Sequence, residues 1–336
     1  MVQKIKLRDS LYILKESENK YIFISTATRK IKKFKVDSLV KDFISNLNSE
    51  SSEEDLIKKL SNKYEKKDIF SCLSVLEKEG IIRRYEKNLE KGIRYKQLLF
   101  LDEITNSREE TLKLQKRIDE SKIAVFGVGG IGTWIVNGLK QIGVGEIRIT
   151  DPDIVDKTNL NRQLFFSLED VGKYKVDVLK EKLKDANIFP FKNKVDEKQN
   201  LEQIISGCNF LINCADSPSV SETTKIINKY ANKHKISYCV AGGYNLHLGM
   251  VGPIIIPGKT KTFEEFLNYQ KKNDNLSYFE KIKDIKETGN LGPIAGAIAN
   301  IQTMEIFKYL TGKGVINLNR FAEIDFMDLG IEWREF

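Results

Sequence analysis

The stretch "KIAVFGVGGIG", residues 122–132, is a short apolar run that breaks into glycines. The run reads as a strand, and "GIGTWIVNGLKQIG" after it as a helix. Gly127, Gly129 and Gly132 fit G-x-G-x-x-G at that junction, with Gly130 in the same loop. Glycines there let the backbone turn tightly and approach a phosphate. The helix N-terminus adds free N–H groups and the positive end of a dipole. Asp151 ends the next strand, "EIRITD", about 20 residues past Gly132, where an acid binds ribose hydroxyls. A nucleotide site follows, the alternative being a glycine turn that serves packing alone. The glycines by themselves do not separate NAD from ATP.

From residue 122 onward, strands such as "NFLINCAD" and "ISYCVAGG" alternate with helices such as "KYKVDVLKEKLKDAN" and "SETTKIINKYANKHK". This predicts an α/β fold: a Rossmann-like, mostly parallel sheet with helices on both faces. "GPIAGAIANIQTMEIFKYLTG" reads as a buried helix rich in small residues, and "RFAEIDFMDLGIEWREF" as two closing strands. Residues 268–290 are polar and weakly patterned, so a mobile crossover loop is expected over about 263–290. Upstream, 89–120 reads as a polar connector and active-site arm with one apolar patch, "YKQLLFL". Residues 1–88 read as a winged-helix-like α+β domain. Its "LYILKE" and "YIFIST" form a hairpin, "KIKKFKV" a third strand, and three helices follow, the second opened by a capping box of Ser51 and Glu54.

The residues after Asp151 favour ATP. Arg162 in "TNLNRQ" and Lys175 in "VGKYKVDVL" stand where a triphosphate extends beyond the sheet edge, and a dinucleotide has no γ-phosphate to use them. Asn159 and Gln163 can hydrogen-bond phosphate oxygens. Asp216, at the end of "NFLINCAD", can hold Mg²⁺ against them. The net charge of +8 favours an anionic partner without choosing among nucleotide, nucleic acid and acidic peptide. The four cysteines form no C-x-x-C pair and two histidines are too few for a triad or a multi-histidine metal site, so no zinc site is expected. No signal peptide or apolar run of membrane length is present, and a cytoplasmic setting with no membrane contact is expected.

In this order "GVGGIG", Asp151, "NLNRQ", "VGKYK" and "CADS" resemble the adenylating enzymes of the ThiF/MoeB type, kin of the ubiquitin-activating enzymes. "GIRYKQLLF" and "GPIAGAIANIQTMEIFKYLTG" extend the resemblance over roughly 92–336. It implies a homodimer that binds ATP and Mg²⁺ and adenylates a peptide carboxylate, releasing pyrophosphate. Arg162 and Lys175 would bind phosphates, Asp151 ribose and Asp216 Mg²⁺. Arg94 or Lys96 would reach the triphosphate of the second subunit. Catalysis would rest on positioning and on cations that absorb charge, with no acid–base histidine.

Two departures narrow the resemblance. The paired C-x-x-C zinc ligands of many relatives are missing, and residues 252–300 contain no cysteine for thioester chemistry. Cys214 and Cys239 lie in apolar strands and read as core. Residues 1–88 resemble the PqqD-like peptide-recognition domain, which would bind an extended peptide by strand addition beside "KIKKFKV". Dimerisation and nucleic-acid binding are the alternatives for this domain. A peptide clamp joined to an adenylating unit is the layout of the microcin C-type enzymes. That resemblance implies nucleotidylation at the C-terminus of a short precursor peptide, with ATP, or CTP in a second step. The competing readings are an activating enzyme for a ubiquitin-like sulfur carrier, a leader-peptide-binding partner of a cyclodehydratase, and a dehydratase acting on a modified tRNA.

Overall fold

The computed structural model describes residues 3–47, 51–273 and 289–336. They fall into two compact units, Met1–Gln115 and Lys116–Phe336. In the first, strands Leu11–Ser17, Lys20–Ser25 and Ile31–Lys35 make an antiparallel sheet in the expected order. Helices Ser38–Asn46, Glu53–Leu60 and Lys66–Lys78 follow. They bury Phe43, Leu56 and Leu73 in one core with Ile5 and Phe23. The cap of the second helix is one residue later than expected: Ser52 is the N-cap and accepts the Asp55 N–H at 3.3 Å.

Two features of this unit depart from the sequence reading. Lys4–Leu7 pairs with both Ser51–Ser52 and Ile82–Tyr85, making a second three-stranded sheet. The supposed connector is helical, over Tyr95–Ile104 and Arg108–Asp119. Leu98, Leu101, Leu114 and Ile118 are buried, at spacings of three and four that charged neighbours obscure in the sequence. The division between the units therefore falls at residue 115, inside the second of these helices.

The second unit is built on a six-stranded sheet. Its spatial order is Ile254–Ile255, Ser237–Val240, Phe210–Asn213, Lys122–Phe126, Glu146–Thr150, Ile188–Phe191. All neighbours are parallel except Ile254–Ile255, which runs antiparallel. The chain builds outward from the central strand Lys122–Phe126 on one side, then returns to its other side with Phe210–Asn213. The reversal leaves a crevice beyond the carboxyl ends of those two strands, the usual ligand position in such sheets. A four-stranded antiparallel sheet, Tyr244–Asn245, Leu248–Val251, Arg320–Asp325 and Gly330–Glu335, completes the unit.

Part of the expected crossover loop is helical. Phe263–Asn273 is a helix, seated by Phe263 and Phe266. The Phe266 ring lies 5.3 Å from that of Phe321 and 5.1 Å from that of Phe336. The rest of that expectation, 274–288, lies outside the described residues. Among the described residues no helix is long and apolar enough to cross a membrane.

Candidate functional site

The glycine loop is forced by its neighbours. After the buried strand Lys122–Phe126 the chain turns at Gly127 with φ +88°. A Cβ there would stand 2.8 Å from backbone atoms of Cys214 and Ala215. Side chains are thus excluded both by conformation and by the adjoining strand end. Gly129 is the N-cap of helix Gly130–Ile142 and offers no side-chain cap, so the first-turn N–H groups are left to a ligand or water. Gly132 does not line the cavity; a Cβ on it would meet the Gly127 carbonyl oxygen at 2.1 Å, so it seats the helix on the loop.

The loop opens on a cavity of about 730 Å³. Gly127, Gly129, Gly130, Asp151, Asn159, Arg162, Gln163, Lys175 and Asp216 all line it. Asp151, 5% exposed, accepts the Val128 N–H at 2.8 Å and the Asp153 N–H at 2.9 Å, one on each oxygen. Burial pushes its pKa up, against the pull of the Lys175 charge and those two N–H groups. Lys175, also 5% exposed, opens helix Lys175–Lys182 and donates to Asp153 Oδ2 at 2.9 Å. The half-buried Arg162 donates to the Thr158 carbonyl at 2.7 Å and to Asn161 Oδ1 at 3.0 Å. Its own carbonyl accepts the Trp134 indole N–H at 3.1 Å.

Two amides in the cavity differ. Asn159 spends its Oδ1 on the Asp156 N–H at 3.1 Å, the return half of a capping box, so only its amide nitrogen is left for a ligand. Gln163 is 6% exposed, and its Oε1 is buried with no hydrogen-bond partner. An orphaned polar atom at a cavity wall is costly unless a ligand or water meets it.

Asp216 is exposed three residues past strand Phe210–Asn213. Among the described residues no three His, Cys, Asp or Glu side chains converge as a metal cage. An exposed carboxylate on the cavity wall suits an ion such as Mg²⁺, which takes most of its shell from water and, where present, phosphate oxygens. Cys214 corrects the sequence reading: it is half-buried and lines the cavity, whereas Cys239 is fully buried core. Burial and the charge of Asp216 push the Cys214 thiol far above its ordinary range, so it stays protonated and weakly nucleophilic.

Arg94 and Lys96 belong to the first unit, Arg94 as N-cap of helix Tyr95–Ile104 and Lys96 exposed in its first turn. Sequence reasoning missed Asp153, Asn193, Lys194, Ser217 and Tyr244, which also line the cavity. Asp153 was the most accessible of these, two residues after Asp151 in "DPD"; Asn193, Lys194 and Ser217 come from loops and Tyr244 from a two-residue strand, none with a periodic signature.

Residues 96–336 match the ThiF family. The chain belongs to the ThiF family. Among curated ThiF-type relatives, the adenylyltransferase and sulfurtransferase UBA4 of Lodderomyces elongisporus is 28% identical over 72% of this chain, which spans 50% of that protein. The SAMP-activating enzyme E1 of Haloferax volcanii is 25% identical over 71% of this chain and 83% of its own length. A solved structure of E. coli MccB with ATP matches at TM-score 0.74 and 20% identity, covering 99% of this chain and 96% of MccB. That likeness establishes the shared fold, and it takes in the first unit as well as the family domain.

Proposed function

We propose that this ThiF-family protein is an ATP- and Mg²⁺-dependent adenylyltransferase that nucleotidylates the C-terminus of a ribosomally made precursor peptide, in a microcin C-like pathway. The observation that carries the reading is the cavity itself. Arg162 and Lys175 face the same space as the uncapped helix of the glycine loop. A triphosphate uses all three features. The peptide part is supported by the first unit, whose sheet ends in an edge strand, Ile31–Lys35, open to strand addition.

The roles follow from what each group has left to give. The Gly127–Gly130 backbone receives phosphate, and Asp151 retains lone pairs on both oxygens for ribose hydroxyls. Lys175 exchanges the exposed Asp153 carboxylate for phosphate. Arg162 and the amide nitrogens of Gln163 and Asn159 bind phosphate oxygens, and Asp216 would hold Mg²⁺, which supplies positive charge against the phosphates when bound. Arg94 or Lys96 serves the triphosphate of the second subunit in a homodimer. A peptide carboxylate oxygen attacks the α-phosphorus as the bond to the bridging oxygen breaks, and pyrophosphate leaves with the electron pair. No proton moves, so the residues act by holding two anions in line and screening their repulsion. The second nucleotide, where a second step occurs, is ATP or CTP.

The test is pyrophosphate release from ATP with Mg²⁺, with and without short Asn-ending peptides, followed by mass spectrometry. Peptide-dependent release with a nucleotide-sized mass gain supports the reading. Release without an adduct supports a second reading, favoured by the UBA4 likeness, in which the protein transiently activates a ubiquitin-like sulfur carrier. Release with no substrate dependence contradicts both.

A further inference from the structure

The second unit holds another cavity, of about 790 Å³, against the four-stranded antiparallel sheet. Gly243 and Tyr244 line both it and the nucleotide cavity. Tyr244 pairs with Gly249 across the sheet, and its hydroxyl reaches over the start of the glycine helix. A Cβ on Gly130 would lie 2.8 Å from that oxygen. The hydroxyl also stands within electrostatic reach of Arg162 and Asp216.

A reaction that joins a nucleotide to a second substrate must bring the two within bonding distance. A wall common to two cavities is where occupants of each can meet. The other polar groups of the second cavity are poorly suited to hold a carboxylate there. Glu323, Asp325, Asp328 and Glu332 would repel it. Arg334 is held by Glu323 at 2.6 Å and Glu332 at 2.9 Å, and Asn245 lines the second cavity alone. The Tyr244 hydroxyl is a neutral donor at the junction itself. Burial raises its pKa further, so it keeps its proton at working pH.

Resting on the adenylyltransferase reading, we propose that Tyr244 is a catalytic residue: its hydroxyl donates a hydrogen bond to the carboxyl group of the acyl substrate and holds that group against the nucleotide. The second cavity is then the seat of the acyl substrate.

The experiment uses the full chain, ATP with Mg²⁺, and pooled random synthetic octapeptides with free carboxyl ends. Peptides that the wild type converts are found by mass gain and pyrophosphate release, and Tyr244→Phe and Tyr244→Ala are then compared on them. Both variants should keep ATP affinity within about 2-fold by calorimetry, which also reports that they fold. Tyr244→Phe should lose about 10- to 100-fold in kcat/KM for the peptide, the range for one hydrogen bond to a charged group. Unchanged kcat/KM, or an equal loss of ATP affinity, would overturn the role of Tyr244 while leaving the adenylyltransferase reading in place. A wild type that binds ATP and converts no peptide would overturn both.

Discussion

Both units bury charge, and they do so differently. In the first, Arg83, Asp102 and Arg108 are 4%, 6% and 2% exposed, as closed as Asp151 and Lys175 in the second. The first cluster is turned inward. Arg108 donates to Asp102 Oδ2 at 3.2 Å and lies 3.7 Å over the Tyr85 ring. Arg83 donates to the carbonyls of Asp102 and Thr105, and Thr111 donates to Asp102 Oδ1 at 3.1 Å. Two guanidiniums there share one carboxylate and also donate to main-chain oxygens. Lys175 instead leans on Asp153, whose side chain is 64% exposed, at the wall of a large cavity. Burial alone therefore does not mark a functional charge. What marks it is an ion pair that a ligand can replace.

That contrast can be broken by mutation. The largest expected effect is on turnover: Lys175→Ala or Arg162→Ala should cost about 10³-fold in kcat/KM, the scale of losing preorganised charge stabilisation. The melting temperature should hardly move, because the partner left behind by Lys175 is solvated. Asp102→Ala should do the opposite. Removing the carboxylate strands two buried cations and should cost about 3–5 kcal/mol in denaturant unfolding, with kcat per folded molecule unchanged. If the Lys175 variant unfolded and the Asp102 variant lost turnover alone, the distinction would be wrong.

Smaller effects sharpen it. Ile31→Glu on the exposed edge strand should raise the peptide KM about 5- to 30-fold, the worth of about 1–2 kcal/mol of apolar contact, and leave the KM for ATP unchanged. The smallest effect is a pH dependence. Asp151 has its pKa raised above the ordinary 3.8 by burial. The native state therefore keeps this proton to higher pH than the unfolded chain does. Its contribution to stability is greatest below that ordinary value and is lost as pH rises through the native one. Unfolding free energies of wild type and Asp151→Asn should thus diverge in that direction from about pH 4 upward, and parallel curves would contradict the assigned cause.

The glycine-loop cavity was largely legible in the sequence because its parts sit at the ends of consecutive strands and helices. Gly127, Asp151 and Asp216 are where the strand pattern stops, and Arg162 and Lys175 follow in a fixed order. Tyr244 was not legible, since its place depends on an antiparallel pairing with Gly249 and on the helix that begins at Gly130. The same reason hid the second sheet of the first unit, where Lys4–Leu7 meets Ile82–Tyr85 across most of the domain. Helix Arg108–Asp119 was hidden by polarity: "REETLKLQKRID" shows only two leucines and an isoleucine among charged and polar residues. The Ser51–Glu54 box was misplaced because Ser52 offers the same chemistry one residue on.

The central claim is that the glycine-loop cavity holds a triphosphate. The most direct measurement is calorimetric titration of wild type and Arg162→Ala with ATP and Mg²⁺, and of wild type with NAD. The account predicts saturable ATP binding that weakens by at least about 10-fold in the variant, the scale of a charge-assisted contact, and no comparable binding of NAD. Tight NAD binding, or ATP affinity indifferent to Arg162, would contradict it.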